Sequence, residues 1–356
     1  MSGWRHGGNV WQASADMGCY IEDLIDFSSN VNPLGPPQWV YRLIDSMKPA
    51  IKYYPDPFCV RLKSRLANWY NIEPTEILPG NGTSQFMYLL PQAIRPARAV
   101  IPVPSYVDYE CGAKAAGIPV LRVIMSKDDQ FRLPIGEIQL VLKRGDIVYL
   151  GRPNNPTGVV YDGEVIRDLA RKNEDVYFIV DQAFYDFVED IDPLVDKRPP
   201  NVALMFSLTK ILAIPGIRIG WLIAEPGIIE RGARVQPPWS VNVFAQAIGE
   251  EAVEHREVIE ETRKMVAEAR ANLARQISEL GVFRVYPSAA NYLLVEINSL
   301  EIDAIQLKEK LLQHHRILIR TCENFSSLDK RFFRICVRSS KDNARLIEAL
   351  GQVVKG

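Results

Sequence analysis

The stretch Ser207–Trp221, SLTKILAIPGIRIGW, places one lysine, Lys210, and one arginine, Arg218, in an otherwise apolar run. Cations are rarely buried unless an anion or another partner compensates them. A lysine amine can condense with an aldehyde, and a hydroxyl together with a guanidinium can bind a phosphate. We interpret the segment as a site for a phosphorylated aldehyde. On its own, it fits a solvent-exposed lysine at the end of a strand equally well.

Strand-like apolar runs surround this segment and alternate with helix-like stretches. Near-continuous apolar strands separated by helices are typical of a mostly parallel sheet that is covered by helices on both faces. The sequence therefore predicts an α/β fold. The strand-like runs are ARAVIPV at 97–103, GDIVYLG at 145–151, VYFIVDQ at 176–182, VALMFSLT at 202–209 and RIGWLIA at 218–224.

The last part of the chain has a different pattern. A long helix is predicted from about residue 240 to about 280, and beyond it strands and helices alternate as in a small α+β unit. We expect the first forty or so residues to be extended, because NVNPLGPP at 30–37 is rich in proline and glycine. The predicted parts are an N-terminal segment that packs on the small domain and active site (1–40), a large domain (41–270) and a small domain (271–356).

Composition excludes several classes of function. The net charge of −1 does not indicate a basic surface that would bind nucleic acid. No apolar run approaches the roughly 20 residues of a membrane helix. The cysteines are scattered without metal-ligand spacing, so we expect reduced thiols in a cytoplasmic protein and no metal site. They are Cys19, Cys59, Cys111, Cys322 and Cys336.

Polar residues follow three more strand-like runs. Asp181 ends one run, GRPNNPTG at 151–158 forms a rigid turn after another, and GNGTSQ at 80–85 offers glycines and hydroxyls where a helix begins. Singly, the aspartate could cap a helix and the turn could be an ordinary loop. Because ligands of open α/β sheets bind at the ends of the strands, the segments together predict one phosphate-binding site.

The order GNGTS, PNNPTG, DQAF and SLTK with PGIRIGW resembles the pyridoxal-phosphate (PLP) enzymes of the aspartate-aminotransferase fold, in the branch of the histidinol-phosphate aminotransferases. The resemblance covers nearly the whole chain. It implies PLP as cofactor and the PLP-dependent transferase type I fold. In that fold a large domain with a mostly parallel seven-stranded sheet and helices on both faces is joined to a small α+β domain.

The resemblance also implies residue roles. Lys210 resembles the lysine that binds the cofactor aldehyde, and Asp181 resembles the partner of the protonated pyridine nitrogen. Tyr54 in KYYPDP resembles a tyrosine that reaches the cofactor phosphate of the other subunit, which implies a homodimer. Arg334 resembles the arginine that binds the substrate carboxylate. The remaining cofactor contacts would be Asn155 to the ring hydroxyl, Tyr106 on the ring, and Gly82, Thr83, Ser207 and Arg218 around the phosphate.

A narrower resemblance comes from other segments. HGGN at 6–9, DFSSNVNPLGPP at 26–37, PPWSVN at 237–242 and residues 316–339 look like the L-threonine-O-3-phosphate decarboxylases of cobalamin biosynthesis. Phe184 stands where aminotransferases usually carry a tyrosine, and those decarboxylases also have phenylalanine there. The implied reaction converts L-threonine O-3-phosphate to (R)-1-amino-2-propanol O-2-phosphate and CO2.

Such a substrate needs a second anion site. Arg320 and Arg334 lie on neighbouring predicted strands, where Arg334 could bind the carboxylate and Arg320 the substrate phosphate. Arg338, four residues after Arg334, is expected on the same side of its strand. The competing explanations are a solvated strand edge for the arginines and a loose terminus for His6. The residues expected to complete substrate binding are His6, Gly7, Asn30 and Asn155.

Three functions remain open from the sequence. The favoured one is the decarboxylase, which could also prefer L-serine O-phosphate because one methyl group discriminates weakly. The second is a histidinol-phosphate aminotransferase, for which tyrosine is expected at position 184. The third is a catalytically silent protein of the PLP fold, against which the intact Lys210, Asp181 and Arg218 argue. The two enzymes would share every cofactor contact and differ in how the substrate is oriented.

Overall fold

The computed structural model describes residues 6–298 and 301–355. The α-helices of this part are α1 Val10–Met17, α2 Gln38–Met47, α3 Val60–Tyr70, α4 Ser84–Ile94, α5 Val107–Ala115, α6 Ile135–Val141, α7 Gly163–Lys172, α8 Leu208–Ile211, α9 Pro226–Val235, α10 Val243–Ala252, α11 Arg256–Glu279, α12 Ala304–His315 and α13 Ser340–Lys355. The strands are β1 Ile25–Asp26, β2 Ile77–Gly80, β3 Arg98–Val103, β4 Val120–Ile124, β5 Asp146–Gly151, β6 Tyr177–Asp181, β7 Val202–Ser207, β8 Gly220–Ile223, β9 Phe283–Val285, β10 Tyr292–Ile297, β11 Ile317–Leu318, β12 Arg320–Thr321 and β13 Phe332–Cys336.

The large sheet has seven strands in the order β2–β8–β7–β6–β5–β3–β4. Strand β8 runs antiparallel to both of its neighbours, and the other pairs are parallel. The prediction of a mostly parallel seven-stranded sheet is therefore confirmed. The strand-like runs of the sequence analysis correspond to β3, β5, β6, β7 and β8.

Both faces of this sheet are buried, as a continuous apolar strand pattern predicts. Along β5, Ile147 and Tyr149 pack with side chains of α4, α5 and α9 on one face. Val148 and Leu150 point the other way and pack with α3, α7 and α10. The predicted helices on both faces are thus present, and the polar residues that follow the strands collect at one edge of the sheet.

A smaller antiparallel sheet follows in the order β12–β13–β10–β9. It packs against α11, α12 and α13. The N-terminal segment lies beside this sheet. Strands β1 and β11 form a separate two-stranded parallel sheet, and the amide of Cys336 on β13 donates to the carbonyl oxygen of Phe27 at 2.8 Å. In α11, Val266 belongs to the core of the large sheet and Leu273 to that of the small sheet. The proposed boundary at residues 270 and 271 falls between them and stays a prediction.

The expectation that the first forty residues are extended is wrong for residues 10–17, which form α1. The side chain of Asn9 accepts a hydrogen bond from the amide of Gln12, and Gly18 ends the helix in the left-handed conformation at φ 58°. Ala13 packs on Leu24 and Leu318. The expectation did hold for residues 30–37, which contain no helix.

The single long helix predicted for about 240–280 is also wrong. The structure has two helices there, α10 and α11, which are interrupted at residues 253–255. The ring of His255 stacks on Trp39 with centroids 4.5 Å apart, and this tertiary contact fixes the turn between the helices. The sequence of this region is rich in residues that favour helices, which predicts one continuous helix. A contact with the distant Trp39 cannot be predicted from that composition.

Candidate active site

A cavity of about 420 Å³ lies at the carboxyl edge of the large sheet, where β2, β3, β5, β6 and β7 end. The sequence predicted most of its lining. Gly82, Ser207 and Tyr54 are the predicted site residues that do not line it. The predicted residues that do are His6, Gly7, Asn30, Thr83, Tyr106, Asn155, Asp181, Lys210, Arg218, Arg320 and Arg334.

Lys210 and Asp181 are the two central ionisable groups. Lys210 follows β7 on the short helix α8, and Asp181 is the last residue of β6. Burial, helped by the positive charges of Arg334 and Arg218, lowers the pKa of Lys210 to about 8. Burial raises the pKa of Asp181 to about 6, against the opposing effects of hydrogen bonds and of Lys210. The lysine is therefore available as an amine near neutral pH.

The carboxylate of Asp181 is held by two uncharged donors. The amide of Ala183 donates to Oδ1 at 3.0 Å, and the hydroxyl of Tyr109 donates to Oδ2 at 3.0 Å. The sequence analysis missed Tyr109. Its position three residues after Tyr106 was an available signal, since residues three apart share a face wherever the chain is helical.

The predicted phosphate seat is built where α4 begins. Arg218 donates to the carbonyl oxygen of Asn81 at 3.3 Å, and a Cβ added at Gly82 would lie 2.3 Å from its guanidinium. Only glycine therefore lets the arginine approach. Thr83 precedes the first residue of α4, and its side chain makes no capping hydrogen bond there. Its hydroxyl and the start of the helix are suited to an anion.

Ser207 has a different position from the one expected. Its Oγ caps α8 by accepting from the amide of Thr209 at 3.2 Å, and it lies 2.8 Å from the hydroxyl oxygen of Thr209. Thr209, which sequence reasoning missed, lines the cavity instead. A serine directly after a strand and before a helix was a sign of this capping role.

Arg320 and Arg334 enter the cavity from the small sheet. Arg334 donates to Oδ1 of Asn155 at 2.5 Å and to the carbonyl oxygen of Ser28 at 2.8 Å. Since Oδ1 of Asn155 is an acceptor, its amide nitrogen is the end left to donate to a ligand. Arg320 donates to Oδ1 of Asn324 at 2.6 Å and lies over the ring of Phe325.

Residues 6–9, which we call the N-terminal strap, close one side of the cavity. His6 pairs with Asp108 on α5 at 3.3 Å, and its ring lies against Tyr106. A Cβ at Gly7 would lie 2.2 Å from the carbonyl oxygen of Ser28, so the strap requires glycine there. The five residues before His6 lie outside the described part of the chain.

Asn30 gives the clearest indication that the cavity binds a polar ligand. Its side chain is 3% exposed, and neither its amide nitrogen nor its oxygen has a hydrogen-bond partner within the described residues. Nε of Arg334 is likewise buried and has no hydrogen-bond partner within the described residues. Leaving such groups unsatisfied costs free energy, so their presence around one cavity indicates a polar ligand.

Phe184 lines the cavity and packs edge-on against Tyr292, with ring centroids 5.0 Å apart. No hydroxyl therefore stands at this position. Tyr185 is directed elsewhere, since its hydroxyl donates to the carbonyl oxygen of Ile191 at 3.4 Å and its ring packs against Phe206.

Arg338 does not line the cavity that Arg334 enters, and it lies beyond the strand on which both were expected. Strand β13 ends at Cys336, and the alternation of side chains does not extend to residue 338. Arg338 pairs with Asp342 at 3.0 Å and donates to the carbonyl oxygen of Asp26.

A family model described as aminotransferase class I and II matches residues 22–350. The chain belongs to the class I and II aminotransferase family. The chain is 34% identical to a threonine-phosphate decarboxylase of Salmonella typhimurium, over 99% of this chain and 97% of that protein. It is also 34% identical to the adenosylcobalamin biosynthesis bifunctional protein CobDQ of Leptospira interrogans, over 99% of this chain and 41% of that longer protein.

A solved structure gives the same fold. The histidinol-phosphate aminotransferase of Clostridium acetobutylicum superposes with a TM-score of 0.86 at 29% identity, covering 93% of this aminotransferase-family chain and 99% of the other. Within the described residues, no helix is long and apolar enough to cross a membrane, and no group of three or more His, Cys, Asp or Glu residues could hold a metal ion.

Aminotransferases of this family use PLP, and the residues of the cavity fit it. Lys210 is a partly buried amine of lowered pKa for the aldehyde, and Asp181 is a buried carboxylate whose donors carry no charge, so it suits a protonated ring nitrogen. Thr83 and Arg218 suit the phosphate, and the unpartnered amide of Asn30 shows that the cavity is built for polar ligands.

Proposed function

We propose that this chain is a PLP-dependent decarboxylase that converts L-threonine O-3-phosphate to (R)-1-amino-2-propanol O-2-phosphate and CO2, a step of cobalamin biosynthesis. The observation that carries the proposal is the convergence of His6, Arg320 and Arg334 on the cavity of Lys210. Arg218 already supplies a guanidinium for the cofactor phosphate. Two further guanidinium groups and an imidazole suit a substrate with both a carboxylate and a phosphate. The names of the two relatives at 34% identity support this choice.

Arg334 would bind the substrate carboxylate. Its contacts with Asn155 and Ser28 fix the guanidinium, so the carboxylate is held in one orientation relative to the cofactor ring. Orientation selects the bond that breaks, because only the bond perpendicular to the ring plane can pass its electrons to the ring. In this proposal the carboxylate is held in that perpendicular position.

Arg320 and the N-terminal strap would bind the substrate phosphate. Arg320 supplies a planar guanidinium, His6 an imidazole held by Asp108, and Asn30 an amide without a protein partner. With the phosphate anchored on one side and the carboxylate on the other, rotation about the bond between the amine nitrogen and Cα is restricted. This restriction distinguishes decarboxylation from proton removal at the same carbon.

When bound, PLP supplies an electron-accepting ring that stabilises the electron pair left on Cα as CO2 departs. Asp181 would keep the pyridine nitrogen protonated, and the amide of Asn155 would donate to the ring hydroxyl. Lys210 would return a proton to Cα, since an amine whose pKa is about 8 exchanges protons readily near neutral pH. The substrate thus loses CO2 and gains one proton.

A panel of substrates tests the proposal. We expect the highest kcat/KM for CO2 release with L-threonine O-3-phosphate, lower values with L-serine O-phosphate, and no keto-acid-dependent turnover of histidinol phosphate. Histidinol-phosphate aminotransferase is the second candidate, favoured by the TM-score of 0.86. Keto-acid-dependent turnover of histidinol phosphate, without decarboxylation of either amino acid phosphate, would establish it instead.

The proposal includes a homodimer in which Tyr54 completes the cofactor phosphate site of the partner subunit. Tyr54 is 80% exposed and stacks on Trp239 with centroids 4.6 Å apart. An exposed apolar patch of this kind marks an interaction surface. Sedimentation should give a dimer, and a fully active monomer would refute the shared site. The other large apolar side chains exposed in this stretch are Ile51, Tyr53, Phe58 and Val60.

We also propose the division into residues 1–40, 41–270 and 271–356 and a cytoplasmic location. The N-terminal segment contacts both the cavity and the small sheet, which supports treating it as a separate part. None of the five cysteines forms a disulfide within the described residues, and Cys59, Cys322 and Cys336 are buried, which supports a reducing compartment. Limited proteolysis and fractionation of cells would test these two points.

A further inference from the structure

Tyr109 connects the helix beside the substrate to the carboxylate beside the cofactor. It lies on α5 and is 1% exposed, and its hydroxyl donates to Oδ2 of Asp181 at 3.0 Å. The other oxygen of Asp181 accepts from the backbone amide of Ala183. The two donors therefore engage both oxygens and fix the plane of the carboxylate.

The packing around Tyr109 leaves its hydroxyl little freedom. Its ring stacks on Tyr149 with centroids 5.4 Å apart, and it meets Tyr106 edge-on at 5.7 Å. Gly151, at the end of β5, allows the close approach, because a Cβ there would lie 3.2 Å from the hydroxyl oxygen of Tyr109. A buried hydroxyl placed this tightly is a fixed donor rather than a rotating one.

We propose that Tyr109 is a positioning residue that orients the carboxylate of Asp181 and keeps it ionised, so that PLP binds with its ring nitrogen protonated. The inference rests on the proposed role of Asp181 and does not depend on which amino acid phosphate is the substrate. Tyr109 itself acts through Asp181.

The charged and titratable groups that face Asp181 come from three elements. Lys210 on α8 carries the opposite charge. The other titratable groups near Asp181 are Tyr106, which directly precedes α5, Tyr109 on α5 and Tyr292 on β10. Burial raises the pKa of Asp181 to about 6, while the hydrogen bonds from Ala183 and Tyr109 and the charge of Lys210 lower it. Loss of the Tyr109 hydroxyl therefore raises this pKa further and leaves less carboxylate at neutral pH.

The experiment measures PLP affinity of the apoprotein between pH 5.5 and 8.5 for the wild type and three variants. Tyr109→Phe removes the hydroxyl and keeps the ring. Tyr149→Phe is the matched control, because the Tyr149 hydroxyl is buried on the adjacent stacked ring and has no hydrogen-bond partner within the described residues. Asp181→Asn removes the carboxylate charge. Titration of Lys210 is common to the wild type, Tyr109→Phe and Tyr149→Phe and cancels in their comparison, whereas Asp181→Asn removes a negative charge that raises the pKa of Lys210.

We expect Tyr109→Phe to bind PLP about tenfold more weakly at pH 7, the scale of a hydrogen bond to a charged group. The pH below which affinity falls should move upward by about one unit. Tyr149→Phe should follow the wild-type curve. A purely structural role would lower affinity equally at every pH, and that result would overturn the inference.

The Asp181→Asn arm separates the two claims. If this variant loses affinity and its pH dependence while Tyr109→Phe matches the wild type, the role of Tyr109 is refuted and that of Asp181 stands. If Asp181→Asn binds PLP as the wild type does, the proposed role of Asp181 fails, and the inference for Tyr109 fails with it.

Discussion

Arg320 and Arg334 lie directly opposite each other on the antiparallel strands β12 and β13. Paired positions put both side chains on one face of the sheet, so both guanidinium groups reach the same cavity. Burial lowers the pKa of each guanidinium, and the charge of Arg334 lowers that of Arg320 further. The positive charges of these two buried guanidinium groups repel each other. Binding of an anion between them would relieve this repulsion.

Arg320→Ala should weaken turnover of phosphorylated substrates far more than that of plain L-threonine. Loss of a charged hydrogen-bonding group predicts about a 10- to 100-fold fall in kcat/KM for L-threonine O-3-phosphate. Arg331→Ala is the control, because Arg331 is partly exposed and pairs with Asp329 instead. Equal losses with both substrates would remove Arg320 from the phosphate role.

Asp108→Asn should raise KM for the phosphorylated substrate by about two- to fivefold, with kcat little changed. The His6–Asp108 pair joins the N-terminal strap to α5, and its histidine is partly exposed, so its contribution is modest. Steady-state kinetics with the double variant His6→Ala, Asp108→Asn check the coupling. If Asp108→Asn raises KM by the same factor in wild-type and His6→Ala backgrounds, the pair carries no binding energy.

Phe184→Tyr should shift some turnovers from decarboxylation to transamination. It places a hydroxyl at the position where aminotransferases usually have one, beside Tyr292. The measurement is the amount of keto acid formed per CO2 released, and this ratio should rise above that of the wild type. Tyr185→Phe, whose hydroxyl lies outside the cavity, should leave the ratio unchanged. An unchanged ratio in Phe184→Tyr would show that this residue does not select the reaction.

Asp181→Asn should stabilise the apoprotein at pH 8 although it weakens cofactor binding. Burial raises the pKa of this acid from 3.8 to about 6. The folded state therefore binds more protons than the unfolded state in this window, and stability falls as pH rises through it. Keeping Asp181 ionised in the folded apoprotein at pH 8 therefore lowers the free energy of unfolding by about 3 kcal/mol at most. Thermal unfolding of the apoprotein should show a gain in Tm at pH 8 that vanishes near pH 4, and a loss at pH 8 would contradict this assignment.

The fold and most of the cofactor site could be predicted because both follow from local patterns. Continuous apolar runs mark strands buried on both faces, and the polar residues after them must meet at one edge of a parallel sheet. Asp181 ends such a run, and Lys210 follows another on the short helix α8. The helix α1 was missed because the expectation for the first forty residues rested on the prolines and glycine of residues 30–37, whereas the caps of α1, Asn9 and Gly18, are single residues far from that stretch.

The rest of the site depends on contacts between distant parts of the chain. Asp108 meets His6 from more than a hundred residues away, and no local pattern reports that pair. The side of Arg338 could not be predicted because alternation applies only while the strand lasts, and β13 ends two residues earlier. The three-residue spacing of Tyr106 and Tyr109 could be seen in the sequence, but the hydrogen bond from the Tyr109 hydroxyl to Asp181 could not be predicted from it.

The most direct test incubates the PLP-loaded protein with L-threonine O-3-phosphate in the absence of any keto acid and follows CO2 and amine. We predict continuous release of CO2 with one equivalent of (R)-1-amino-2-propanol O-2-phosphate, and none from Lys210→Ala. An absence of CO2 together with one equivalent of keto acid per active site, after which turnover stops, would contradict the decarboxylase and establish a transaminase.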